Sequence, residues 1–331
     1  MNRLLSKCYS VKPNLLNTLR ENGINTVAEF MCCDTERLAQ RISVSTEDLS
    51  SLRDTITTQT AAFTMNGTDL YQEMMSRYHI LSTGCDNLDE LLDGGLHTGE
   101  LTEIVGAAGV GKSQICMSIA LFTAMETKKN VLYIDTGGSF SATRVKDMLG
   151  QRDNSLASQD ICNILSRILV IQAYDIFSII EALERARERI CNQDDDDDDD
   201  MQHLQMIIVD CVAAVISPIL GGQQIQGHSL MVGLSRILKS LAVGHSVAVV
   251  ITNNVVTDSS KTSFSTKPAL GRTWAHIPNT RIFIQKNPTS EANSIRKESI
   301  IATLIKSSRQ RLQTPFVLYI NQGGLFSRTY T

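Results

Sequence analysis

The chain lacks any uninterrupted apolar stretch near the roughly 20 residues that a membrane-spanning helix needs. Its opening residues, MNRLLSKCYSVKPN, hold no apolar core of signal-peptide length ahead of Lys7 and Pro13. A soluble intracellular protein with no membrane association is expected. The eight cysteines, Cys8, Cys32, Cys33, Cys85, Cys116, Cys162, Cys191 and Cys211, form no C-x-x-C pair and have no histidines at zinc spacing. They read as reduced, mostly buried thiols rather than a disulfide framework. With only 6 prolines, 42% hydrophobic residues and 20% charged residues in 331, the sequence is ordinary globular material, not collagen, coiled coil or a wholly disordered chain. No Asn-Lys-x-Asp sequence is present, which sets aside a guanine-reading GTPase.

Net charge is −4, from 31 Lys and Arg against 35 Asp and Glu, but seven of the acids form the single run Asp194 to Asp200. Residues 251–331 carry 11 Lys and Arg against 3 Asp and Glu, a net of +8, so residues 1–250 carry −12. The basic C-terminal portion permits a polyanion nearby, and a scattered solvated surface explains it as well. Seven consecutive aspartates repel one another and stay out of any core, so residues 192–201 are expected to be a solvated, disordered acidic loop.

Two regions differ in periodicity. Residues 1–60 form a small all-helical N-terminal domain, with Leu15, Leu16 and Leu19 at helical spacing and a break at Gly23. The sequence Thr26-Val27-Ala28-Glu29 is a capping box that restarts a helix, and Ser45 with Asp48 repeats the device. Helix, Gly-Ile-Asn turn, helix is also the pattern of a helix-hairpin-helix unit, whose turn amides hold a DNA phosphate; a helical docking module is the favoured reading because the segment is not basic. Residues 61–82 show no sustained period and read as a linker. From residue 83 to 331 short apolar runs, LTEIV, VLYID, ILVIQ, MIIVD and VAVVIT, alternate with amphipathic helices. That alternation is the signature of an α/β domain with a mostly parallel central sheet covered on both faces by helices.

The run LTEIV leads directly into Gly106-Ala107-Ala108-Gly109-Val110-Gly111-Lys112-Ser113, a full match to G-x-x-x-x-G-K-[ST], and a helix over Gln114 to Met125 leaves it. Strand, glycine-rich loop and helix N-terminus turn backbone amides toward one point, which suits phosphate oxygens. Lys112 is placed to neutralise the β- and γ-phosphates, and the Ser113 hydroxyl to ligate magnesium. Met206 to Val209 run into Asp210, a carboxylate at the end of a buried strand, which is the Walker B pattern for the magnesium shell. ATP and Mg2+ are therefore the expected cofactors.

The words around these motifs carry a resemblance. LSTGCDNLDELLDGGLHTGELTEIVGAAGVGKSQIC, VLYIDTGGSF, IIVD, VVITNNVV and KPALGRTWAHIPNTRI follow one another as blocks that resemble the RecA/RadA recombinase superfamily, in order, from residue 80 to 310. The helical N-terminus fits its eukaryotic and archaeal branch. AFTMNGTDLYQEM, SPILGGQQ, KPALGRTW and IKSSRQ resemble the D-type recombination-repair paralogues of that branch. The resemblance implies a RecA-like P-loop ATPase core, nuclear location, and work in homologous recombination at single-stranded or branched DNA, damaged forks and interstrand crosslinks. It implies partners among the B-type and C-type paralogues and a short paralogue lacking the N-terminal domain, which binds the helical module while the C-type paralogue binds the core.

Three departures from active members bear on mechanism. The place of the Glu that polarises the attacking water is held by Gly137, so ATP is expected to bind and turn over slowly at most. The γ-phosphate-sensing Gln is replaced by Asn254, and the Phe-x-x-Ala self-assembly tetrapeptide reads Phe63-Thr64-Met65-Asn66, so a homofilament is not expected. Gln114 continues the phosphate loop, and Arg144 matches an arginine that flanks the adenine in the family; a surface helix cation is the alternative for it. DNA-facing loops are expected around Gly221–Gly227, with Gln223 and Gln224, and around Thr257 to Pro268, with Lys261, Phe264 and Lys267 as one aromatic and two cations for base and phosphate. Trp274 reads as core. The alternative to a non-filamenting adaptor is an autonomous DNA-stimulated ATPase or strand-exchange enzyme.

Overall fold

A computed structural model describes residues 13–24, 26–60, 64–191, 203–221, 224–257, 266–288, 298–312 and 315–327. The chain divides into two compact units, Met1–Glu73 and Met74–Thr331.

The first unit holds helices α1 (Pro13–Glu21), α2 (Val27–Cys32), α3 (Thr35–Ile42) and α4 (Thr46–Thr60). The capping box is formed: Glu29 N donates to Thr26 Oγ1 at 3.2 Å and Thr26 N to Glu29 Oε2 at 2.9 Å. Asp34 caps α3, accepting from the amides of Glu36 and Arg37. Leu19 of α1, Phe30 of α2, and Leu49 and Ile56 of α4 are fully buried together, with Leu38 and Ile42 of α3 packed into the same cluster, and each full burial contributes about 1.5–3 kcal/mol. The turn after α1 uses its amides internally: Gly23 N bonds Arg20 O at 2.9 Å and Ile24 N bonds Leu19 O at 2.9 Å. Arg41 clasps Asn22 through its side chain and carbonyl. With those two amides already paired, they are not donors for a phosphate; Asn25, the third residue of the turn, lies outside the described residues.

Residues expected as an aperiodic linker include helix α5 (Gly67–Arg77). It buries no side chain, so it carries no apolar stripe facing a core, and its sequence signal is the cap instead. Asp69 N donates to Asn66 Oδ1 at 2.9 Å.

The second unit continues with β1 (Ile80–Leu81), α6 (Asp86–Leu91), β2 (Leu96–His97), β3 (Leu101–Gly106), α7 (Lys112–Glu126), β4 (Asn130–Asp135), α8 (Ala142–Arg152), α9 (Ser158–Ser166), β5 (Ile168–Gln172), α10 (Ile176–Cys191), β6 (Leu204–Asp210), α11 (Val212–Leu220), α12 (Gln224–His245) and β7 (Ala248–Asn253). The hairpin β8 (Val255–Thr257) and β9 (Thr266–Pro268), α13 (Gly271–Ala275), β10 (Thr280–Lys286), β11 (Glu298–Lys306), β12 (Phe316–Asn321) and β13 (Gly324–Phe326) complete it. The main sheet runs β13-β12-β11-β10-β3-β7-β6-β4-β5. β10, β3, β7, β6, β4 and β5 are parallel to one another, and the five apolar runs of the sequence are β3 to β7. β11, β12 and β13 add an antiparallel extension. One face is covered by α7, α8 and α9, the other by α10, α11 and α12. Burial on both faces explains why β4 and β7 are apolar almost throughout rather than alternating. No helix among the described residues is long and apolar enough to cross a membrane.

The six described cysteines are free thiols, but only Cys85 and Cys116 among them are buried; Cys32 and Cys162 are exposed. Two of the others, Cys8 and Cys191, lie outside the described side chains, and so does the aspartate run.

Candidate functional site

β3 ends at Gly106 in the middle of the sheet and α7 begins at Lys112, so the loop between them sits at the C-terminal edge of the parallel strands. Glycine is required at two of its positions for different reasons. A Cβ on Gly106 would lie 2.7 Å from Ile284 O, and Gly111 has φ 104° with a would-be Cβ 2.5 Å from Ile320 Cδ1. Ile115 N is the first α7 amide to bond back, to Gly111 O at 3.0 Å, which leaves the amides of Lys112, Ser113 and Gln114 without intrahelical acceptors. These amides and the positive end of α7 suit an anion. Lys112 is largely buried and folds its Nζ onto Gly106 O and Ala107 O, each at 2.9 Å. Burial pushes its pKa down, opposed by the nearby Cys211 and Asp210, so an anion beside it would relieve that penalty. The Ser113 hydroxyl has no hydrogen-bond partner among the described residues.

Asp210 closes β6 in the adjoining part of the sheet. It is buried and accepts three hydroxyl groups: Thr252 Oγ1 at 2.5 Å, Tyr133 Oη at 3.0 Å and Ser139 Oγ at 3.1 Å. Burial pushes the Tyr133 phenol well above its usual pKa, so it keeps its proton and donates. Asp135, at the end of β4, is fully buried and accepts the amides of Gly137 and Ser139, each at 3.1 Å, and Phe140 at 3.0 Å. Asp135 thus fixes the loop 137–140 through three backbone amides, and Asp210 adds a bond to the Ser139 side chain. Neither sequence motif nor spacing singled out Asp135 or Ser139, although a strand ending in Asp two residues before Gly137 was the available signal. Gly137 itself is exposed, with no atom within 4 Å of a would-be Cβ, and brings no side chain to the site.

Arg144 is not a plain surface cation. Its Nε donates to Gln114 Oε1 at 2.9 Å, and its Nη atoms to Gln322 O at 2.5 Å and Asn321 O at 2.6 Å. It therefore joins the residue after Ser113 to the turn between β12 and β13. Asn254 follows β7, its carbonyl accepting Ala269 N at 2.8 Å, while its side-chain amide makes no hydrogen bond among the described residues. Asn253 beside it is buried and donates to Glu103 Oε1 at 2.8 Å and Ala269 O at 3.2 Å. Trp274 is fully buried, as expected, and it is also polar in function, donating Nε1 to Glu103 Oε1 at 2.8 Å.

The expected DNA-facing segments are partly corrected. The first was placed over 221–227, but α12 already begins at Gln224 because Gly227 packs against α11; a Cβ there would lie 2.5 Å from Ile219 O. The stretch between the helices is residues 221–223, and Gln223 and the Gln224 side chain lie outside the described residues. The second segment is framed by the β8–β9 hairpin, in which Val256 pairs with Lys267. Lys267 is exposed on β9; Lys261 and Phe264 lie outside the described residues.

Fold and site together define a P-loop domain with a RecA-like core. The residues present fit a magnesium nucleotide: a glycine cradle, unpaired helix amides, a desolvated lysine, a free hydroxyl and a buried carboxylate. Residues 75–298 match the family model Rad51, and residues 1–59 match the model RAD51D, N-terminal domain. Among relatives, "DNA repair protein RAD51 homolog 4" of Bos taurus is 41% identical over 283 residues, 86% of this chain and 85% of that protein. Its namesake in Mus musculus is 40% identical over 303 residues, 92% and 89% of the two chains. "DNA repair protein RAD51 homolog 3" of Cricetulus griseus is 26% identical over 269 residues, 74% and 69%. The chain belongs to the Rad51 family.

Proposed function

We propose that this chain is an ATP-binding recombinase paralogue of homologous-recombination DNA repair, acting in the nucleus. It assembles with other paralogues, the B-type, C-type and short forms, and assists the strand-exchange recombinase on single-stranded or branched DNA. The observation that carries this reading is a complete phosphate-binding loop in a chain whose Gly137 turn has no base to offer. The names of the relatives, DNA repair proteins, support the process.

In this reading the amides of residues 106–113 and Lys112 hold the phosphates, with Gln114 and Arg144 beyond them, while Ser113 and Asp210 hold Mg2+. The cation, when bound, offsets phosphate charge. The protein's residues do the rest. Lys112 would exchange its two carbonyls for phosphate oxygens, and the hydroxyls on Asp210 hold that carboxylate in one orientation. Asp135 holds the Gly137 turn without moving a proton. Binding energy then goes into stabilising the assembled state rather than into hydrolysis.

Two features support heteromeric assembly over a homofilament. Asn66, which stands where the self-assembly tetrapeptide has Ala, spends its side chain on capping α5. β5 is the last strand of the main sheet, and Val170, Tyr174 and Phe177 beside it are exposed, a free edge suited to an added partner strand. The autonomous-ATPase reading is favoured by the intact phosphate loop and Asp210. Titration with labelled ATP, ATP turnover with and without single-stranded DNA, and size exclusion with a C-type partner test both. Saturable uptake, slow turnover and nucleotide-dependent complex formation are expected. Fast DNA-stimulated turnover by the isolated chain that needs Lys112 overturns the adaptor reading, and a monomer indifferent to partner and nucleotide overturns assembly.

A further inference from the structure

The ladder between β4 and β6 ends at Asp135 and Asp210, which are its last register pair. The next residue of the second strand, Cys211, opens α11 without a side-chain cap of its own. Thr136, the first residue past β4, holds that joint instead. Its amide donates to Asp210 O at 2.8 Å, its Oγ1 donates to Cys211 O at 2.8 Å, and Cys211 N donates to the same Oγ1 at 2.7 Å. A hydroxyl carries one donor and two acceptor sites, so a single side chain clasps Cys211 at both of its backbone groups. Thr136 is buried, which keeps water from taking its place. Cys211 O also accepts Ala214 N at 3.2 Å, whereas Cys211 N has the threonine oxygen alone among the described residues.

The acid one residue back has little capacity to spare. Thr252 occupies Oδ1, and Tyr133 and Ser139 occupy Oδ2. A carboxylate offers about four lone-pair sites, so about one remains for a ligand. What Asp210 can bind therefore depends on where its backbone holds it. Thr136 does not bond the carboxylate; it acts on the chain on either side of the Asp210–Cys211 peptide. We propose that Thr136 is the positioning residue of the metal-holding acid, fixing the aim of Asp210 through the backbone of residues 210 and 211.

This rests on the nucleotide-binding reading, in which Ser113 and Asp210 hold Mg2+, and its test separates the two. Affinity of the full-length chain for a fluorescent ATP analogue is measured in EDTA and again with excess Mg2+. Thr136→Val keeps the shape of the side chain and removes the hydroxyl, and Thr136→Ser keeps the hydroxyl. Thr136→Cys, a milder change that leaves a weak donor and acceptor, carries the test if the valine variant does not fold. In Thr136→Val the gain in affinity on adding Mg2+ shrinks about tenfold, affinity in EDTA stays within about twofold of wild type, and Thr136→Ser restores the gain. Thr136→Cys falls between wild type and the valine variant. Equal loss in both conditions marks a general weakening of the fold and overturns the inference, as does a gain that is unchanged or that serine does not restore. A wild-type chain that binds the analogue with no gain from Mg2+ overturns the metal role given to Asp210, one that takes up no nucleotide overturns the function itself, and this inference falls with either.

Discussion

Glu103 and Arg281 form an ion pair with both side chains withdrawn from water, on neighbouring strands β3 and β10, three residues before the phosphate loop begins. Asn253 and Trp274 complete the Glu103 carboxylate at 2.8 Å each, and Arg281 Nη2 finds no partner. One buried acid thus ties together β3, the end of β7, α13 and β10. Glu103→Gln leaves the arginine uncompensated inside the sheet and is expected to cost about 3–5 kcal/mol, read as a lower urea midpoint.

Lys112→Ala separates binding from folding. Among the described residues the lysine's hydrogen-bond partners are two loop carbonyls, and its burial disfavours the charge, so removal alters stability by about 1 kcal/mol or less, while uptake of labelled ATP falls by about a hundredfold or more. Calorimetry and nucleotide titration on the same sample check both halves.

Gly137→Glu has space to be accommodated, since no atom lies within 4 Å of the new Cβ and no left-handed φ is required. If Gly137 is what holds turnover down, the variant hydrolyses ATP faster by about 10² or more, measured as phosphate release.

His97 gives a pH dependence. Its ring is buried, and it faces Tyr78 at Nδ1 and Arg309 at Nε2, with Glu100 and Asp93 close to the same guanidinium. Desolvation chiefly, and then Arg309, push its pKa below the ordinary histidine value. A folded pKa below the unfolded one means that the unfolded chain binds the extra proton, so the stabilisation is present above about pH 6.5 and is lost as pH falls through the folded value. The thermal midpoint therefore drops between about pH 7 and 5, and His97→Gln flattens that slope.

Asn66→Ala restores the Phe-x-x-Ala pattern and removes the α5 cap at a local cost of about 1 kcal/mol. Larger homo-oligomers in sedimentation velocity are the expected result if Asn66 is what prevents self-assembly.

Much of the core was legible in advance because its signals are local. A strand running into glycine-rich sequence and out into a helix fixes the phosphate loop from contiguous residues, and doubly buried strands announce themselves as apolar runs. β11 to β13 were not legible as strands: β12 has a single buried residue and the rest half-buried, so no clean apolar run or alternation marks it, and β13 is three residues long. Distance along the chain hid the roles of Arg144, whose acceptors lie 177 and 178 residues away, and of Glu103, whose partners come from three later elements. Asp135 escaped because its ligands are backbone amides, which leave no trace in residue identity. α5 escaped because an exposed helix needs no hydrophobic period.

The turn at residues 137–140 is moored by Asp135 and Asp210 through the protein's own amides and hydroxyls. A ligand arriving beside it meets a contour already cast, and little chain entropy is surrendered on arrival. This turn therefore does not have to fold up around a ligand, and its shape is set before one arrives.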